Sequence, residues 1–150
     1  MFTQGDTEAG KHWEMMVSSD MAMVERSFGP IIRDLVAGGH AAQLGGLVGR
    51  ADDGQVLAEL IVDGQTLGPL PVDPGATDPE QVRSAAGFVQ DRLLECRTAS
   101  GASVVWPTCR PGHHHPRELT PAGPGWPAWT CPQGSSADVP VGELADEPIE

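Results

Sequence analysis

Between Cys109 and Cys131 the chain carries two thiols and three imidazoles, yet Leu119 is the only large aliphatic side chain. The stretch is broken throughout by proline and glycine. It has too little apolar surface to offset the entropy lost when a backbone is fixed. If it is ordered, something other than an aliphatic core must hold it. Two staples are available: a metal ion on the Cys/His groups, and the tryptophans Trp106, Trp126 and Trp129;. They are compatible.

The potential ligands sit in Cys109-Arg-Pro-Gly-His113-His114-His115-Pro116 and in Cys131-Pro132-Gln133-Gly134. In an extended chain alternate residues point the same way. His113 and His115 can therefore converge while His114 faces outward. Cys109, His113, His115 and Cys131 form the expected ligand set, and Zn²⁺ the expected cofactor. Two thiolates and two neutral imidazoles make a closed, electrically neutral site, which is a structural set rather than a catalytic one. The competing reading is a solvated histidine turn beside two ordinary buried thiols.

This last third of the chain resembles a zinc ribbon, in which two turns each donate two ligands. It is similar to degenerate ribbons in small actinobacterial proteins with a Cys, His-x-His-Pro and Trp-x-Cys-Pro arrangement. The Cys131 turn lacks the second cysteine of a full ribbon knuckle, and the resemblance implies no activity. Cys96 falls on the apolar stripe of a helix, where cysteine serves as a small hydrophobe, and it is left out of the set. His12 and His40 carry no pattern.

The chain has 150 residues and a formal charge of −12. That length suits one domain with a real core. The charge argues against nucleic acid and against an anionic membrane surface as partners. No apolar run approaches a membrane span. The first residues have neither a basic nor an apolar leader region, and three cysteines make no disulfide framework;. A cytoplasmic location is expected.

The organisation is read as a flexible lead-in over 1–17, an α+β core over 18–98, a Cys/His zinc-ribbon-like subdomain over 99–144 and an acidic tail over 145–150. Ser18-Ser19-Asp20 reads as an N-cap cluster. Met21, Val24, Phe28, Ile31 and Leu35 then recur at helical spacing;. Pro30 implies either a kink or a second helix start, and Gly38-Gly39 a stop. Strands are expected over 47–50, 55–62 and 65–70, joined by Asp-Gly turns into an antiparallel meander whose third strand, with Pro69 and Pro71, lies at an edge. Asp78-Pro79-Glu80-Gln81 opens a second helix, with Val82, Ala85, Ala86, Val89, Leu93 and Cys96 as its stripe. Short strands are expected at 104–106 and 126–130, with a last edge contact near Val139, Val141 and Leu144.

The order helix, meander, helix resembles secretion-chaperone-like α+β folds that hold partner segments. The expected function is a zinc-stabilised protein-binding or accessory module, with a protein partner and with the sheet edge as a route to a homodimer. Two alternatives stand. One is a metalloenzyme using three of the ligands plus water, with Glu118 as the nearest carboxylate for proton transfer. The other is a metal-free, acidic, chaperone-like binder. No nucleophile elbow, phosphate loop or dinucleotide fingerprint is present.

Overall fold

A computed structural model describes residues 4–96, 101, 104–109, 112–121, 123–134 and 137–146, with the backbone alone for 4–14 and 16. The fold is α+β: a long helix, a three-stranded antiparallel meander, a second helix and a small second sheet.

Helix α1 spans Gln4–Ala37 as one element with Pro30 inside it. Val24, Phe28, Ile31 and Leu35 form its buried face. The end is a glycine cap: His40 N–H donates to the Leu35 carbonyl and Gly39 N–H to that of Val36. Gly39 sits at φ +89°, a conformation that suits glycine;. Of the segment expected as a flexible lead-in, residues 4–17 are thus part of the helix, and Met15 is exposed. A nucleated helix propagates until something stops it, and no proline occurs among the first 29 residues. Nor does Ser18-Ser19-Asp20 start the helix. Asp20 instead accepts two hydrogen bonds from the Arg50 guanidinium, at 3.2 and 2.8 Å.

Strands β1 (Ala42–Arg50), β2 (Val56–Val62) and β3 (Gln65–Val72) lie in the order β1-β2-β3. Alternate β2 residues Val56, Ala58, Leu60 and Val62 are buried. The β2–β3 turn is Asp63-Gly64, with φ of +50° and +80°. Positive φ at both positions matches the twist of a hairpin. β1 begins earlier than expected and carries register shifts between Leu44 and Gly46 and between Leu47 and Gly49. Its glycines hid it from propensity, but they suit such bulges. β3 is an edge strand, as its prolines require.

Helix α2 spans Asp78–Glu95. Its cap is Thr77, one residue before the expected Asp78. Glu80 N–H donates to the Thr77 hydroxyl, and Thr77 N–H to the Glu80 carboxylate;. Gln81 is thereby released to donate to the Asp73 carbonyl at 2.8 Å. Val82, Ala85, Ala86, Val89 and Leu93 are buried as the stripe requires. Cys96 caps the far end, half-buried.

The second sheet has the order β4 (Glu118–Leu119), β5 (Ala128–Thr130), β6 (Val139–Pro140). Residues 104–106 form no strand. Trp106 packs its side chain into the core instead, edge-on to Trp129 with ring centroids 5.1 Å apart. Leu144–Asp146 is a 3-10 turn, so the first residues of the expected tail are ordered; 147–150 lie outside the described residues. The Pro/Gly-rich part has no core of its own: Trp106, Trp129 and Val141 belong to the same buried cluster as the helices and the meander.

Candidate metal centre

The ligand loop is built from its two ends. An isolated bridge pairs Thr108 with Pro116, and Arg117 N–H donates to the Pro107 carbonyl at 2.9 Å. The chain therefore doubles back, with Cys109, His113 and His115 inside the loop that the bridge closes. Two side chains brace it from below. Buried Arg117 donates through Nε to the Thr108 carbonyl at 3.0 Å. Gln90, on α2, donates to the carbonyls of Trp106 at 3.2 Å and Arg117 at 2.6 Å. Cys131 arrives separately, at the end of β5, two residues past the buried Trp129.

These elements bring Cys109, His113, His115 and Cys131 together, with one potential ligand atom from each lying within 4.8 Å of all the others. His113 Nδ1 is 3.3 Å from Cys109 Sγ and 3.6 Å from Cys131 Sγ. Tetrahedral bonds of about 2.3 Å to sulfur and about 2.0–2.1 Å to nitrogen put S and N ligand atoms roughly 3.5 Å apart. Both distances sit on that edge length.

His115 supplies the more decisive observation. Its Nδ1 lies 3.1 Å from the Pro116 carbonyl oxygen, which can only accept. In the neutral ring Nδ1 therefore carries the proton and Nε2 the lone pair. That Nε2 is buried and has no hydrogen-bond partner. A buried acceptor left unmatched costs roughly 1–3 kcal/mol; a metal ion supplies what is missing. A ring that binds metal through one nitrogen and donates to a carbonyl through the other has the outer-shell support such ligands use. The four residues can thus hold a metal ion.

The neighbouring groups stay outside it. His114 is exposed. Cys96 donates to the Arg92 carbonyl, and His40 pairs with Asp63 at 2.7 Å. Glu118 is exposed on β4 and is not among the four converging groups. His12 has no described side chain.

Sequence reading missed Asp34, the polar hub that fixes this region to α1. Its carboxylate is fully buried. It accepts from Trp129 Nε1 at 2.8 Å, Gly142 N at 2.6 Å and Leu144 N at 3.1 Å. Burial raises its pKa above the ordinary carboxylate range, opposed by those three donors and by nearby Arg33;. The signal was present: Ser27 and Asp34 recur seven apart beside the apolar stripe of α1. Gln90 and Arg117 left no such trace.

No protein-family model, curated protein or solved structure matches the chain. Among the described residues, no helix is long and apolar enough to cross a membrane.

Proposed function

We propose that the chain is a zinc-stapled accessory module of the cytoplasm that binds another protein. The observations carrying the zinc reading are the convergence of Cys109, His113, His115 and Cys131, one potential ligand atom of each within 4.8 Å of the others, and a buried His115 Nε2 that has no hydrogen-bond partner. Two sulfurs and two nitrogens suit Zn²⁺ over the oxygen-seeking Mg²⁺ and Ca²⁺. Four protein ligands fill the coordination sphere, so the ion organises the loop and leaves no position for substrate. The binding reading draws on the surface. Val48 on edge strand β1 is exposed, as are Phe88 and Leu94 on α2 and Trp126 beside the second sheet. An open edge with apolar neighbours suits strand addition, by another protein or by a second copy.

The test is metal content of the untagged protein by mass spectrometry, beside Cys109→Ala and Cys131→Ala variants. One zinc per chain, lost in both variants, is the expected result. A metal-free parent protein overturns the zinc reading. Zinc with an exchangeable water replaces the structural role with the enzymatic one.

A further inference from the structure

The two sulfurs of the site differ sharply in access. Cys131 is 3% exposed, at the end of β5 behind Trp129. Cys109 is only half-buried and lies in the irregular loop. Both approach the same His113 nitrogen, at 3.3 and 3.6 Å, and their sulfurs lie within 4.8 Å of each other. A disulfide needs about 2.05 Å between sulfurs, so a modest shift of the Cys109 loop toward the anchored Cys131 closes the gap. The pair thus has an approachable sulfur and a sheltered one within reach, the arrangement in which a first oxidation product is captured before it is lost.

Building on the zinc reading, we propose that Cys109 and Cys131 form a reversible oxidation site for hydroperoxides, and that its oxidation expels the metal. The Cys109 thiolate attacks one peroxide oxygen. The O–O bond breaks, hydroxide leaves from hydrogen peroxide or an alkoxide from an organic hydroperoxide, and Cys109 becomes a sulfenic acid. The Cys131 thiolate then attacks that sulfur, the S–O bond breaks, and hydroxide leaves. The two thiolates together lose two electrons, and the peroxide gains them. The ion retains only two imidazoles and dissociates. A dithiol reductant returns the thiols, and added zinc reloads the site. The third cysteine, Cys96, belongs to the end of α2 and takes no part.

The experiment uses the zinc-loaded, reduced 150-residue chain carrying Cys96→Ser. Hydrogen peroxide is titrated while a chromogenic chelator reports released zinc, and disulfides are mapped by mass spectrometry after alkylation. One zinc released per Cys109–Cys131 disulfide formed, reversed by reductant plus zinc, is expected. In Cys131→Ser a sulfenic-acid trap should label Cys109 at least tenfold above the parent; in Cys109→Ser it should leave Cys131 unlabelled. Irreversible oxidation of Cys109 without the disulfide overturns the proposal, as does zinc retained at full oxidation. Metal content measured before peroxide decides the zinc reading separately. If that reading fails, disulfide mapping on the metal-free chain still decides whether the two sulfurs pair.

Discussion

Trp129 donates its indole N–H to the Asp34 carboxylate at 2.8 Å across 95 positions of sequence, and both side chains are fully buried. This contact joins the region of the Cys/His cluster to the first helix. Backbone donors from Gly142 and Leu144 complete it.

Asp34→Asn should destabilise the fold by about 1–3 kcal/mol, because its amide turns a donor toward groups that themselves donate. The pH dependence has a definite sign. The folded pKa of Asp34 is raised, so the folded chain binds its proton more tightly than the unfolded chain. Its contribution is full below the ordinary value near ~3.9 and declines as pH rises through the folded value. The penalty of Asp34→Asn should therefore be largest in acid and shrink toward neutrality. Denaturant unfolding across pH checks this.

Asp63 has the opposite sign. Its hydrogen bond with His40, helped by Ala41 N–H at 2.9 Å, holds its pKa below the ordinary range. Its contribution is present above ~3.9 and is lost as pH falls through the folded value. The carboxylate is half exposed, so Asp63→Asn should cost no more than about 1 kcal/mol near neutrality. Asparagine tolerates the positive φ of this turn, which keeps the measurement to the side-chain contact. The check is unfolding of the variant beside the parent at neutral and acidic pH.

Gln90→Ala should weaken metal binding by about 10–100-fold without touching a ligand, because it strips the brace from two carbonyls beneath the loop. Competition against a zinc chelator measures it. An unchanged affinity would mean that the bridge and Arg117 fix the loop alone.

Metal removal should lower thermal stability while leaving the helices largely intact. Trp106 and Trp129 tie the region into the common core whether or not the ion is present. Calorimetry with and without chelator should show a lowered midpoint, and far-ultraviolet dichroism should change little. Tryptophan fluorescence should respond, since Trp129 lies two residues from Cys131. Collapse of the helical signal on chelation would contradict the shared core.

The strongly patterned parts of the fold were legible. The stripe at Val24, Phe28, Ile31 and Leu35, the Asp63-Gly64 turn and the stripe from Val82 to Leu93 each combine periodicity with local turn chemistry. The convergence of His113 and His115 followed from alternation alone. The misses fall where tertiary contacts decide. Asp20 looked like part of a cap because short polar residues favour caps, but its partner is Arg50, 30 residues away. The Val104–Trp106 stretch has strand propensity, yet it pairs with no strand and its Trp106 is buried edge-on to Trp129. Asp34, Gln90 and Arg117 act across long sequence separations, and no local rule reports such partners.

The grounding of Asp34 has a consequence for synthesis. Helix α1 leaves the ribosome early, N-terminal parts first. The backbone donors that satisfy its carboxylate follow only 108 and 110 residues later. Until they emerge, that carboxylate can stay hydrated only on an incompletely docked helix. Docking α1 before Gly142 and Leu144 have been made would bury the Asp34 side chain without two of its three hydrogen-bond donors;, so a product that ends before them should be less stable than the finished protein.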